Sequence, residues 1–231
     1  NWAIKNVLFS VGDTRKKIVT SCIEHHAILN SCEVMEKLGF EVIYLPVDRE
    51  GMISPNTLEK EMGNDVALVS IMFANNEIGT IQPIKEIGAI CREHGILFHT
   101  DAVQAFGQVP INVDECNIDM LSASGHKLNG PKGIGFLYIR KGVKIRSFVH
   151  GGGQERKRRA GTENVPGIIG LGAATARAMR TLEERTSKEK ELRDYLIGRI
   201  TSEIPFVKLN GHPEQRLPNN ANFSFRFIEG E

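Results

Sequence analysis

The chain has 231 residues, 41% of them hydrophobic and 25% charged, which is typical of a globular protein with one large domain, or one domain and part of another. A formal net charge of +1 gives no electrostatic case for nucleic acid or an anionic membrane, and we find neither a membrane-spanning apolar run nor a signal peptide. The four cysteines lack Cys-x-x-Cys spacing, so we predict no metal site and reduced thiols in a cytoplasmic protein.

The two ends of the sequence lead us to expect a segment of a longer protein. It begins at Asn1 without a methionine, on an apolar pattern over Trp2–Phe9 that is too short to assign to a helix or a strand. It stops at Glu231, shortly after an alternating strand pattern. We predict three parts: a large domain over residues 1–164, a connecting helical region over residues 165–200, and the start of an incomplete small α+β domain over residues 201–231.

Strand and helix patterns alternate through the first half of the chain. The predicted strands are Lys16–Cys22, Glu41–Val47, Val66–Ala74 and Ile96–His99. The predicted helices run from about Ile28 to Gly39, from Ser54-Pro55 to about Met62, and from Pro83 to Gly95. This alternation predicts an α/β fold with a mostly parallel central sheet that helices cover on both faces.

The second half begins with a glycine-rich loop and continues as a long helical region. His150-Gly-Gly-Gly153 predicts a loop, and the basic run Arg156–Arg159 is usually a solvated surface. Thr162 or Asn164 could cap the helical region over residues 165–200. Two strands of the small domain are predicted at Val207–Leu209 and Asn222–Phe227.

Polar residues stand at the ends of four predicted strands. They are His25, Asn75-Asn76-Glu77, Asp101 and the stretch Ser124–Lys127. Ligands of parallel sheets bind beyond the carboxyl ends of the strands. Because four independent strand ends carry such groups, we predict a ligand site at this edge of the sheet.

Lys127 is the candidate for a reactive group at this site. It lies between the apolar pair Met120-Leu121 and a second strand pattern at Phe136–Ile139, in a stretch rich in small residues. We expect a lysine held in a turn between two buried strands to be partly desolvated, which makes its amine more nucleophilic towards aldehydes. The hydroxyl of Ser124 and the imidazole of His126 suit a phosphate.

This combination predicts a Schiff-base lysine that holds pyridoxal 5′-phosphate (PLP). The alternative is a solvated lysine in a strand–turn–strand corner, because short motifs match by chance. The carboxylate of Asp101 could meet the ring nitrogen of the cofactor, although an N-cap aspartate is common at this position. Gln104 would share a helical face with Asp101 and could reach the phenolic oxygen, or be a surface residue.

Three further residues are candidates for the same site. His25 could stack on the cofactor ring and later shuttle a proton, although a lone histidine is more often structural. Asn76 could bind a cofactor oxygen or a substrate carboxylate, although Asn-Asn also favours turns. Thr162 lies where a loop could bring a hydroxyl to a phosphate.

Five motifs, in the right order, resemble those of the cysteine desulfurases, which are class-V PLP enzymes of fold type I. These motifs are Glu24-His-His-Ala27, Asn75-Asn-Glu-Ile-Gly79, His99-x-Asp101-x-x-Gln104, Ser124-Gly-His-Lys127 with Gly130-Pro-Lys-Gly133, and His150-Gly-Gly-Gly-Gln-Glu155 with Arg159-Ala-Gly-Thr162. The resemblance covers most of the stretch from residue 24 to residue 164, and the rest of the chain is similar to the same family more loosely.

The resemblance implies a role for each candidate. Lys127 would form the Schiff base and later take the Cα proton of the substrate. His25 would stack on the ring and Asp101 would pair with its nitrogen. Asn76 and Gln104 would bind oxygens of the cofactor or the substrate. Ser124 and His126 would bind the phosphate of the cofactor. Thr162 would contact the phosphate that is bound in the other subunit of a homodimer.

The reaction that the resemblance implies turns L-cysteine into L-alanine and captures the sulfur as a persulfide, which a sulfur-acceptor scaffold protein would receive, as in iron–sulfur cluster assembly. The nucleophilic cysteine of the family is expected beyond Glu229–Glu231, the carboxylate-binding arginine later still, and a phosphate loop before Asn1. We therefore expect this segment alone to be inactive. The alternatives are a selenocysteine lyase, a class-V aminotransferase, and a non-enzymatic dimerisation or scaffold-binding module.

Overall fold

The computed structural model describes residues 1–7 and 15–228. The end of the apolar pattern at Trp2–Phe9 and the residues Glu229–Glu231 therefore lie outside the described residues. Among the described residues, no helix is both long enough and apolar enough to cross a membrane.

Six strands form the main sheet, in the order β2-β1-β3-β4-β5-β6. The first five run parallel, and β6 pairs antiparallel with β5. This arrangement confirms the predicted mostly parallel sheet. The strands are β1 (Lys17–Ser21), β2 (Glu41–Leu45), β3 (Val66–Ser70), β4 (Leu97–Asp101), β5 (Met120–Ser124) and β6 (Gly135–Ile139).

Buried apolar residues cover both faces of this sheet in two separate clusters. Adjacent residues of one strand fall into different clusters, because successive side chains of a strand point to opposite faces. The pairs that divide in this way are Ile18 and Val19, Leu68 and Val69, and Met120 and Leu121. The continuous apolar run of β3 is therefore the result of burial on both sides.

Seven helices are described besides the strands. The predicted helix starts at Ser54 and Pro83 are confirmed, since these residues are the N-caps of α3 and α4. The N-cap of α2 is His25, three residues before Ile28, where its predicted helical spacing begins. The predicted helical region after residue 164 is divided at Thr181 into two helices. The helices are α1 (Trp2–Lys5), α2 (His26–Lys37), α3 (Pro55–Lys60), α4 (Ile84–Glu93), α5 (Gln154–Lys157), α6 (Val165–Arg180) and α7 (Leu182–Glu203).

A second sheet contains only β7 (Val207–Asn210) and β8 (Asn222–Phe225), paired antiparallel, which confirms the two strands predicted there. Helix α6 packs closely on the turn after β5, and a Cβ at Gly170 would come within 2.5 Å of Pro131 Cγ. The division of the chain at residues 164 and 200 into two domains and a connecting region stays a prediction.

We predict that Gly88→Ala destabilises the protein by about 1–3 kcal/mol, because overpacking a buried contact has this cost. Gly88 lies on the buried face of α4, where an added Cβ would stand 1.9 Å from the carbonyl oxygen of Cys116. The matched control is Gly198→Ala in the exposed part of α7, where an added Cβ meets nothing within 4 Å. Helix propensity alone should make that variant more stable by roughly 0.5–1 kcal/mol. Urea unfolding measures the stability of both variants. Equal changes in the free energy of unfolding would contradict the close contact between Gly88 and Cys116.

Candidate functional site

The carboxyl ends of β1, β3, β4 and β5 lie side by side at one edge of the sheet. Backbone hydrogen bonds continue beyond the strands, from Phe73 N to Asp101 O (2.8 Å) and from Ala102 N to Ser122 O (2.9 Å). The segments that leave these strands are therefore held next to one another, and all but one of the predicted site residues lie on them or in the turns that follow. The exception is Thr162.

Asp101 is the last residue of β4 and is partly buried. Its Oδ1 accepts a hydrogen bond from Val103 N at 2.9 Å. Burial raises the pKa of the Asp101 carboxyl, while the Val103 N–H and the nearby His25 lower it. A desolvated carboxylate facing an imidazole at a sheet edge is an environment that favours a cationic ligand.

The predicted common helical face of Asp101 and Gln104 is wrong. No helix follows β4, because residues 102–109 form consecutive turns closed by bonds such as that from Phe106 N to Ala102 O (2.8 Å). The N-cap alternative for Asp101 is wrong for the same reason. Gln104 is half-buried in these turns, close to the carboxyl end of β4.

His25 is exposed at the beginning of α2 and is itself the N-cap of that helix. Its Nδ1 accepts a hydrogen bond from Ala27 N at 3.1 Å. The His26 ring is edge-on to it, with 6.2 Å between the ring centroids. Because Nδ1 is an acceptor here, the neutral imidazole carries its proton on Nε2. His25 thus has a structural contact on one nitrogen and keeps the other for a ligand.

The two asparagines after β3 have different surroundings. Asn75 is buried, donates to Ile23 O at 3.0 Å and accepts from the backbone N–H groups of Glu77 and Ile78. It therefore forms the turn that the Asn-Asn pair predicts. Asn76 is only partly buried, which leaves it as the member of the pair that can reach a ligand.

Lys127 lies in a single 3-10 turn, Gly125–Leu128, directly after β5. Asn129 ends the turn in the left-handed conformation with φ 58°, and Gly130 N donates to Gly125 O at 2.9 Å. The predicted desolvation of Lys127 is wrong for this chain, because its side chain is exposed. Within this turn Gly125 and Leu128 are buried, whereas His126 and Lys127 are exposed. Lys127 also lines an open groove of about 1220 Å³ against helices α6 and α7.

Ser124 and His126 form a hydrogen-bonded pair, with 2.7 Å between Ser124 Oγ and His126 Nδ1. Both belong to the segment that carries Lys127, so a hydroxyl and an imidazole are available together for an anion. Thr162 lies in an exposed loop before α6, whose N-cap is Asn164 through a bond from Gly167 N to Asn164 Oδ1 (3.1 Å). Among the described residues, Thr162 has no hydrogen bond to another predicted site residue.

The sequence reasoning missed two buried polar groups beneath this edge. Glu24 is only 5% exposed, and its Oε1 accepts from Ser21 Oγ at 2.6 Å and from Met72 N at 2.8 Å. It ties the end of β1 to the segment after β3 and so supports His25. Burial raises the pKa of the Glu24 carboxyl to about 8. Its position next to the candidate site residue His25 was the signal in the sequence that could have drawn attention to it.

His99 is the second missed group, and it bridges three strands. Its Nδ1 is 2.8 Å from Ser70 Oγ and its Nε2 is 2.8 Å from Ser122 Oγ. Burial lowers the pKa of His99 to about 3, so the imidazole is neutral. The sequence did contain a signal for this residue. His99 lies two residues before Asp101, so the two side chains point to the same face of a buried strand.

The groups at this edge have the chemistry that PLP requires. A partly buried carboxylate suits a protonated ring nitrogen, an exposed imidazole suits a ring face, and an exposed amine suits an aldehyde. The Ser124–His126 pair and the amides of Asn76 and Gln104 suit the phosphate and the oxygens. In residues 1–7 and 15–228 we find no cluster of three or more His, Cys, Asp or Glu side chains that could hold a metal ion.

Comparison with known proteins gives consistent matches. Residues 1–231 match the family model described as aminotransferase class-V. The chain is 61% identical over 231 residues to "Cysteine desulfurase IscS" of Methanosarcina thermophila, covering 100% of this chain and 57% of that protein. It therefore spans less than two thirds of the length of this curated relative.

Solved structures resemble the chain closely as well. One described as "NIFS-LIKE PROTEIN" has a TM-score of 0.93 at 41% identity, over 98% of this chain and 62% of that one. Another, described as "SspA in complex with cysteine", has a TM-score of 0.84 at 39% identity, over 98% of this chain and 63% of that one.

We predict that Glu24→Gln flattens the pH dependence of stability between pH 4.5 and about 8. The pKa of Glu24 is about 8 in the folded protein against an ordinary 4.5, so the folded state binds more protons in this range. The contribution of Glu24 to stability is therefore complete below pH 4.5 and is lost as the pH rises towards 8, by at most about 1.4 kcal/mol per pH unit.

Urea unfolding at several pH values measures this effect. Glutamine mimics the protonated acid and should remove that decline, whereas Glu59→Gln at an exposed position of α3 should keep it. Parallel profiles for Glu24→Gln and the wild type would contradict a protonated Glu24.

Proposed function

Because the chain belongs to the class-V aminotransferase family, we propose that it is the PLP-binding part of a cysteine desulfurase. The enzyme would convert L-cysteine into L-alanine and pass the sulfur on as a persulfide. One observation carries this proposal. The partly buried carboxylate of Asp101, the imidazole of His25 and the turn that carries Lys127 all follow parallel strands at the same edge of the sheet. They do so in a chain that is 61% identical to a cysteine desulfurase.

Asp101 and His25 would hold the ring of the cofactor. PLP, when bound, supplies an electron sink for the negative charge that develops at the substrate Cα. Asp101 would keep the ring nitrogen protonated, since a buried carboxylate strongly favours a cation beside it. His25 would lie against the ring face, held in orientation by its bond from Ala27 N.

The anionic and polar groups of the cofactor and substrate would be bound by the other candidates. Ser124 and His126, already paired at 2.7 Å, would hold the phosphate. Asn76 and Gln104 would bind the phenolic oxygen or the substrate carboxylate. Each contact orients the ligand, and orientation is a large part of the catalytic effect of such a site.

Lys127 would have two roles. Its Nζ would bind the aldehyde carbon of the cofactor and would later accept the Cα proton of the substrate. The exposure of Lys127 in this single chain agrees with a site that a second subunit would cover. We accordingly propose a cytoplasmic homodimer in which Thr162 reaches the phosphate of the neighbouring subunit, with a sulfur-acceptor scaffold protein of iron–sulfur cluster assembly as a further partner.

We predict that borohydride reduction of the PLP-loaded protein leaves a pyridoxyl adduct on Lys127, located by peptide mapping. Lys127→Ala should lose the adduct. The matched control is Lys132→Ala, an exposed lysine after the same turn, which should keep it. An adduct on another lysine would overturn the assignment, and none in either this chain or a longer form of the protein would favour a non-enzymatic module.

Product analysis then separates the enzymatic alternatives. Alanine from cysteine by the longer form would support the desulfurase. Preference for selenocysteine would indicate a selenocysteine lyase, and amino-group transfer to a 2-oxo acid would indicate an aminotransferase.

We predict that Asp101→Asn lowers the activity of the longer form of the protein on the order of 10²-fold, because it removes the charge that stabilises the protonated ring nitrogen. Asparagine keeps the acceptor oxygen for Val103 N, so the fold should be retained. Asp119→Asn is the matched control, because Asp119 is also partly buried and accepts a backbone bond from Phe98 N, but at the opposite end of the strands. Equal activity losses in steady-state assays of both variants would contradict the proposed role.

A further inference from the structure

The turn that carries Asn76 is bound on its outer side by the connection between β7 and β8, residues 211–221, which we call the strand connection. Leu217 N donates to Gly79 O at 2.9 Å, and Ile81 N donates to Gln215 O at 2.9 Å. The approach is so close that a Cβ at Gly79 would stand 2.6 Å from Asn220 Cγ. A segment far along the chain therefore fixes a turn of the candidate site.

Arg216 is the centre of this contact. It is only 3% exposed, and its Nη2 donates to Ile78 O and to Asn220 Oδ1, both at 3.2 Å. Asn220 Nδ2 in turn donates to Glu77 O at 3.0 Å. The two residues together hold the two carbonyl groups that immediately follow Asn76.

Arg193 supports Arg216 from helix α7. It is 7% exposed, and its Nη1 donates to Leu217 O at 2.9 Å and to Arg216 O at 3.3 Å. Burial and the neighbouring charge of Arg193 lower the pKa of Arg216. Two adjacent buried guanidinium groups are costly to bury, and the hydrogen bonds to backbone carbonyls offset this cost.

The turn is tied on its inner side to the segment that carries His25. Asn75 Nδ2 donates to Ile23 O at 3.0 Å, and Met72 N donates to Glu24 Oε1 at 2.8 Å. A continuous series of hydrogen bonds therefore leads from α7 through Arg193, Arg216 and Asn75 to the residues next to His25.

We propose that Arg216, supported by Arg193, is a positioning residue for the site: it holds the Asn75–Gly79 turn so that Asn76 faces the ligand, and it links the placement of α7 and β8 to the geometry of the cofactor site. This inference rests on the proposed function for its catalytic consequence. Its structural part is independent of that function, because it concerns only how the turn is held.

The test uses Arg216→Lys in the full-length protein, because lysine keeps the charge but cannot bond two acceptors in the fixed planar geometry of a guanidinium. Hydrogen exchange of the cofactor-free protein, read for residues 75–81, should become about tenfold faster or more, and kcat/KM should fall by at least about tenfold. Arg193→Lys should have a smaller effect in the same direction. Arg199→Lys, at an exposed arginine of α7, should change neither quantity.

A second variant covers the case in which Arg216→Lys does not fold. Asn220→Asp keeps the acceptor for Arg216 but removes the shorter of the two side-chain bonds to Glu77 O, the other being from Asn222 Nδ2, and it should also accelerate exchange in the turn. Unchanged exchange over residues 75–81 in a folded Arg216 or Asn220 variant would overturn the inference, as would lost activity without faster exchange. Failure of the proposed function would be seen separately, as a wild-type protein without a pyridoxyl adduct on Lys127.

Discussion

The parallel pairing of β1, β3, β4 and β5 is the constraint on which the candidate site depends. Parallel strands end at the same edge, so the residues that follow them meet although they are far apart in sequence. The pairing is stabilised by apolar side chains on both faces, which exclude water from the backbone hydrogen bonds. Polar groups are therefore restricted to the edge, where a ligand can satisfy them, or to buried positions where they are paired, such as His99 between two serines.

The sequence predicted the elements whose cause is local. The buried run of β3 and the helix between Pro83 and Gly95 follow from apolar periodicity and from the backbone preferences of proline and glycine. The meeting of most candidate residues at one edge of the sheet was also predictable, because it follows from the parallel topology.

What could not be predicted depends on contacts between distant segments. The turns after Asp101 replace a helix because Ala102 bonds to Ser122 of the adjacent strand, which no local pattern indicates. The exposure of Lys127 depends on how the turn leaves the sheet surface. The buried carboxylate of Glu24 is bonded by Met72 N, and the backbone of Arg216 is bonded by Arg193 of helix α7, so these contacts join segments that are far apart in sequence.

The antiparallel edge strand has a consequence for the reactive turn. Because β5 and β6 pair from Met120 with Ile139 to Ser124 with Gly135, both ends of the segment between them are anchored in the same sheet. A shift of one residue in this pairing would turn every side chain of β6 to the opposite face, so Phe136 and Tyr138 would leave one apolar cluster and Leu137 would leave the other. The strand pairing thus fixes the backbone position of Lys127 relative to the sheet. The distance that its amine can reach towards a ligand depends on side-chain rotation and not on sliding of the backbone.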